Sequence, residues 1–331
     1  MSRRSAKALV QVTAVLYQFH SEEPLFQRCI SMSGTPIMLK PLPLPVTEMV
    51  YETIMTELGL QDAPVDERIQ RLRSIEPQEL VEKTPMTVPL LPSLDDEIVP
   101  EATTFAKLAN NDVPGWKWCE ELMIGDCQHD GNVFLFMGLA QRKAGIAKAL
   151  MTSLHNSLPT DAAAAVLDAY GIRSTTADDE GMDQSINLAT DIAYVAPALA
   201  YARAFPGETY YYHFNEPNPW DGPFKGSSTH MLDATFLFQN FNEHMSDVAK
   251  EVAKSLAAAF IKFANGMKPW ADFEETRSVR TYGPSDKSIV SVAENNGWGN
   301  GRRDALWKLG EAEKVDLDSL SAAWDMFIAG K

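Results

Sequence analysis

Three short apolar runs set the strongest limit on what this chain can fold into. Cys29-Ile30-Ser31-Met32-Ser33 is closed by Gly34, Leu122-Met123-Ile124-Gly125 stands between polar segments, and Thr209 to Phe214 reads TYYYHF. Each is too brief for a buried helix. Runs of this length without polar alternation are the pattern of strands covered on both faces, and the aromatic content of the third fits a strand as well. Longer stretches of helical pattern lie between them, so the expected class is α/β, with layers of helix on sheet.

Val12 to Phe19 (VTAVLYQF) is apolar on all sides and reads as the end of a buried helix. Lys40 to Pro45 (KPLPLP) is excluded from regular structure, because alternate prolines remove backbone donors. Thr47 is expected to cap a helix carrying Val50, Ile54 and Leu58 and stopping at Gly59. Residues 66–83 read as a second helical stretch, and Pro85 to Pro100 as an irregular extended crossing. Residues 132–206 are mostly helical in pattern, broken at Gly171 and at Ser174 to Gly181. Pro217 to Gly226 is a Pro/Gly-rich loop. A long helix then carries Val248, Val252, Leu256, Phe260 and Phe263 on one side and ends at Asn265-Gly266. Two short strands, around Val279 and at Ser288 to Val292, precede a final helix at Leu317 to Phe327.

The charge balance narrows the partners. A net charge of -16 opposes sequence-independent nucleic-acid binding, which needs a basic face to displace counterions. The three cysteines, Cys29, Cys119 and Cys127, form no C-x-x-C pair, and the histidines carry no zinc-ligand spacing, so no metal or organic cofactor is expected. The odd cysteine count and the lack of an Asn-x-Ser/Thr sequon favour the cytoplasm, with secretion the alternative. A basic Met1 to Lys7 before an apolar stretch has the order of a signal peptide, but Gln11, Thr13 and Gln18 interrupt that stretch. It is also too short to span a membrane.

Six histidines are candidate bases: His20, His129, His155, His213, His230 and His244. His230 stands apart because it follows Gly226-Ser227-Ser228-Thr229, a small-residue loop between a strand and a helix. Loops at strand ends are where α/β proteins present catalytic groups. Asp130 sits similarly, between the strand ending near Gly125 and the turn residue Gly131. An acid after one strand and a histidine after a later one follow the Ser…Asp/Glu…His chain order of α/β-hydrolases.

Five segments in order strengthen this. Ser21 to Arg28 through Ser31-Met32-Ser33-Gly34-Thr35 resembles the stretch after the nucleophile elbow of type-B carboxylesterases. Ser93-Leu94-Asp95-Asp96-Glu97-Ile98-Val99-Pro100 resembles their D-G-x-x-x-P crossing, with Asp96 in place of the glycine. Met123-Ile124-Gly125 through His129-Asp130-Gly131-Asn132 resembles the segment of the triad acid, here aspartate instead of glutamate. Tyr212-His213-Phe214 leading to Ser228-Thr229-His230-Met231-Leu232-Asp233 resembles that of the triad histidine. Ala264-Asn265-Gly266 with Pro269-Trp270 resembles a family helix exit. The likeness runs from about Val12 to the C-terminus and is strongest in the fungal-type branch. It implies the C-terminal portion of an α/β-hydrolase fold, a mostly parallel sheet with flanking helices and a helical insertion at about 132–206. It also implies hydrolysis of a small-molecule ester, with His230 as general base and Asp130 as its orienting partner. Asp233 and His129 are expected to be structural.

The elbow itself is missing from this pattern. No Gly-x-Ser-x-Gly occurs in the chain, and there is no Gly-Gly pair for an oxyanion-hole loop. Counting back without gaps puts the family's serine at Leu9; a shift of four reaches Ser5, flanked by Arg3 and Lys7 instead of glycines. The expectation is therefore a truncated hydrolase domain at 12–331 behind an unmatched segment 1–11, weak or inactive alone, with a non-catalytic scaffold as the alternative. A sheet cut at its leading strands would expose an edge open to association. Gly297-Trp298-Gly299-Asn300-Gly301 reads as a flexible loop, since no strand-to-helix context makes it a phosphate loop. Phe134, Phe136, Trp220 and Phe224 are candidate gorge-lining aromatics, with core packing the default for each.

Overall fold

The computed structural model describes residues 15–85, 88–110, 113–285, 290–294, 302–303 and 305–330. The segment 1–11 with Ser5, and the glycine cluster Gly297 to Gly301, lie outside the described residues. Two compact units result, one built from Met1–Met38 and Thr103–Lys331, the other from Leu39–Ala102.

The larger unit is organised by a sheet of five strands in the order β1 (Arg28–Met32), β2 (Glu121–Cys127), β3 (Glu208–Phe214), β4 (Ser278–Tyr282) and β5 (Val290–Glu294). The first four are parallel and the last runs antiparallel. The three apolar runs are thus the first three strands, side by side. Within them the side-chain period of two separates the faces. Leu122 and Ile124 of β2, Tyr211 of β3 and Cys29 of β1 enter one core, together with the helices Ile146–Ser157, Thr160–Ala169, Asp178–Thr190, Ala196–Ala204 and Leu317–Ile328. Met123 and Cys127, with Tyr210, Tyr212 and Phe214, enter the other, covered by Leu232–Phe238 and Asp247–Ala264. Helices on both faces explain why both sides of these strands are largely apolar.

The helix Asp247–Ala264 shows how cleanly local signals act here. Ser246 caps it by accepting from the Ala249 amide, and Val252, Leu256, Phe260 and Phe263 bury one stripe, whereas Val248, expected on that side, is exposed in the first turn. Asn265 follows, and Gly266 takes φ +71, the left-handed turn that ends a helix at no steric cost. Among the described residues no helix is long and apolar enough to cross a membrane.

In the smaller unit the reading at 40–47 needs correction. Helix Leu44–Glu57 begins with Pro43 as its N-cap and Pro45 in its first turn, so the proline run is partly helical. Proline is harmless there, because the first-turn amides have no acceptor in any case and its φ is already helical. Thr47 does not cap; its Oγ1 pairs with Ser93 Oγ at 2.8 Å. The 66–83 stretch is two helices, Val65–Ser74 and Pro77–Lys83. In the crossing that follows, Asp95 Oδ1 accepts the amides of Glu97, Ile98 and Val99 at 3.1, 2.8 and 2.7 Å. Asp96 has φ +59, a conformation that glycine adopts freely and other residues do not. That is a physical reason for glycine at the matching position of the D-G-x-x-x-P pattern.

Candidate active site

β2 and β3 lie in register from Glu121↔Glu208 to Cys127↔Phe214, so the loops leaving them start as neighbours. The main chain keeps them together. Gln128 N and Ser228 Oγ both donate to Phe214 O, at 3.0 and 2.8 Å, and His129 N donates to Ser228 O at 2.9 Å. An isolated parallel bridge joins His129 and Thr229. Asp130 and His230 each follow this stitch by one residue. His230 Nδ1 lies 2.7 Å from Asp130 Oδ1, and Asp130 Oδ2 accepts the Cys127 amide at 2.8 Å.

Asp130 is fully buried and the His230 side chain is 8% exposed. An ionised carboxylate accepts only, so the acceptor at Nδ1 assigns the proton to that nitrogen and leaves Nε2 with its lone pair. Nε2 is buried with no hydrogen-bond partner among the described residues. An imidazole oriented through one nitrogen and open at the other can accept a proton from a hydroxyl or water.

The supports are specific. Gly131 N donates to Thr190 Oγ1 at 2.9 Å, and a Cβ at Gly131 would meet Ile186 O at 2.6 Å, so only glycine lets the acid turn approach this helix. Met231, next to His230, takes φ +70 and turns the chain into the helix Leu232–Phe238. Asp233 accepts from the Tyr212 hydroxyl at 2.8 Å; burial, with Asp130 nearby, pushes it up to about 6. His129 lends its backbone to the stitch, and burial together with Arg302 and Arg303 holds its imidazole down to about 4.

A buried polar layer beneath the pair escaped sequence reasoning. Asp126 and His213 share the parity of Ile124 and Tyr211 and so point into the first core. His213 Nδ1 lies 2.8 Å from Asp126 Oδ2, which also accepts the Tyr211 hydroxyl at 2.9 Å. Arg303 Nη2 meets Asp126 Oδ1 at 2.8 Å. Burial acts to raise Asp126, but Arg303 and His213 outweigh it and leave the carboxyl below its usual range. Burial pushes His213 down to about 4, with Arg303 adding to it. Alongside, Arg302 pairs with Asp191 and donates to Gln128 O at 2.8 Å. The available signal was an ionisable residue at an inward position of each strand, Asp126 and His213. The π-helical turn Asp191–Val195 and its Tyr194, whose ring lies 5.4 Å from that of His230, left no such mark.

Of the remaining candidates, Phe134 is core, packed on Trp324 at 5.3 Å. Phe136 is 77% exposed and packs at a tilt against Phe224, while Trp220 packs against Phe241. The cysteines are free and buried, and no group of three or more His, Cys, Asp or Glu converges as metal ligands among the described residues.

The model of the carboxylesterase family matches residues 8–306. The chain belongs to the carboxylesterase family. Solved esterases share its fold. A PNB esterase superposes with a TM-score of 0.61 at 18% identity, covering 90% of this carboxylesterase-family chain and 62% of that one. The juvenile hormone esterase of Manduca sexta gives 0.61 at 15% identity, covering 93% and 64%. EstA of Aspergillus niger gives 0.60 at 13%, covering 93% and 63%. This family member therefore spans 62–64% of the length of these three solved relatives. No curated protein matches it.

Proposed function

We propose that this chain carries the general base and orienting acid of a carboxylic ester hydrolase, His230 and Asp130, acting on a small-molecule ester. The observation behind it is the 2.7 Å contact at Nδ1 together with an unpartnered Nε2. In this reading His230 Nε2 takes the proton of the attacking hydroxyl and returns it to the leaving alkoxide. Asp130 holds the tautomer and stabilises the imidazolium. On the motifs quoted above, we assign the chain to the fungal-type branch.

With no Gly-x-Ser-x-Gly in the sequence, the chain on its own is expected to be a weak esterase. Oxyanion donors alone are worth a factor of about 10² to 10³ in rate. That same absence favours a second reading, a non-catalytic scaffold that associates through the edge of β1, which pairs with β2 alone among the described strands.

A fluorescent fluorophosphonate probe separates the two, with His230→Ala as the control. Labelling of the wild type that the variant loses would mean a serine activated by His230, with Ser5 the first to map. Folded, monodisperse protein that takes no label would leave the scaffold reading.

A further inference from the structure

Tyr194 is a buried tyrosine whose hydroxyl has no hydrogen-bond partner among the described residues. It stands in the π-helical turn Asp191–Val195, between the helices Asp178–Thr190 and Ala196–Ala204. Such turns add a residue to a helix, re-aim the side chains in it, and recur at functional sites. The ring packs against Phe134 at 6.4 Å and against His230 at 5.4 Å, contacts that phenylalanine would make equally well. Yet its hydroxyl, wholly inside the protein, has no hydrogen-bond partner among the described residues. The same turn does satisfy its other buried polar side chain, since Asp191 is met by Tyr170 and Arg302. A desolvated hydroxyl without a partner opposes folding, so it calls for an explanation outside the fold.

His230 Nε2 is the complementary open group: one O–H donor and one lone pair, on adjoining rings, both buried and both without a partner among the described residues. We propose that the Tyr194 hydroxyl donates a hydrogen bond to an oxygen of the ester bound at His230, making Tyr194 a substrate-contacting residue. The assignment rests on the reading of Asp130 and His230 given above. Burial, with the Asp130 carboxylate and Cys127 adding to it, pushes the phenol well above its ordinary range, so it remains a donor at neutral and alkaline pH.

The test is the hydrolysis of p-nitrophenyl acetate by the full chain, by Tyr194→Phe and by His230→Ala, with Tm measured for each. Tyr194→Phe removes only the oxygen. The expected result is an unchanged or higher Tm with kcat/KM down about tenfold, the size of one well-placed hydrogen bond. A Tm lowered by several degrees would show the hydroxyl partnered within the fold and overturn the proposal. An unchanged rate would overturn it as well. Wild-type hydrolysis no faster than that of His230→Ala fails the acid–base reading itself, and this proposal with it.

Discussion

Asp126 and His213 form a second imidazole–carboxylate pair, 2.8 Å apart, inside the strands that carry Asp130 and His230 at their ends. The two pairs look alike in distance and differ in surroundings. Around Asp126 the carboxylate also meets Arg303 and the Tyr211 hydroxyl. The inner pair is wholly buried, whereas the His230 side chain of the loop pair keeps 8% exposure. Proximity of an acid to a histidine does not by itself mark a catalytic site.

Asp126→Ala should lower the unfolding free energy by about 3–5 kcal/mol, because it leaves Arg303 buried without its counter-charge. Urea denaturation measures this. A loss below about 1 kcal/mol would mean that water or another group already compensates the arginine.

The pH dependence of stability contains opposing parts. His129 and His213 are held down to about 4, so their contribution is present above the unfolded value of about 6.5 and fades as pH falls toward 4. Asp191 and Asp233 are pushed up to about 6, so theirs is complete below the unfolded carboxylate range and fades as pH rises through 6. The wild type should therefore be nearly level between about pH 4 and 6. His129→Gln unbalances the set. Relative to wild type, the variant should gain up to about 3 kcal/mol as pH falls from about 6.5 to 4. Denaturation at a series of pH values would expose a gap that stays constant, the outcome that contradicts a neutral, partly buried His129.

Gly131→Ala should destabilise the chain by about 1–3 kcal/mol, the usual range for forcing a methyl into packed backbone. The clash is with Ile186 O and with Thr190, on the helix that flanks the acid turn. Because Asp130 is the adjacent residue, any His230-dependent hydrolysis should fall further than the stability loss explains. Equal activity at saturating substrate would refute that coupling.

Phe134 and Phe136, two positions apart, should respond on different scales. Phe134→Ala empties part of the first core and is expected to cost about 3–5 kcal/mol. Phe136→Ala removes an exposed ring tilted against Phe224 and should stay within about 1 kcal/mol. Thermal melts of the two variants decide it.

The strands were legible because their apolar runs are bounded by polar segments; Asp130 was singled out between such a run and the turn at Gly131, and His230 by the small-residue loop Gly226 to Thr229 before it. The helix at Leu44–Glu57 was misplaced at its start, since proline is read as a breaker although it fits a first helical turn. The Asp126 layer stayed hidden because Arg303, which meets Asp126, and Arg302, which meets Gln128, arrive from more than a hundred residues along the chain, carried by tertiary packing that no local pattern encodes. Tyr194 was invisible for a different reason: a π-turn shifts the helical phase by one residue, and a period-3.6 reading has no place for it.

The stitch between His129 and Ser228 bears on how the molecule can breathe. Acid and base hang from two adjoining strands whose main chains are laced together just before them, so they travel as one body. Sliding or twisting of the sheet leaves their separation intact and changes only their offset from groups borne on β1. Selection acting on these loops is therefore free to change what lies outward of Nε2 without disturbing the Asp130–His230 contact behind it.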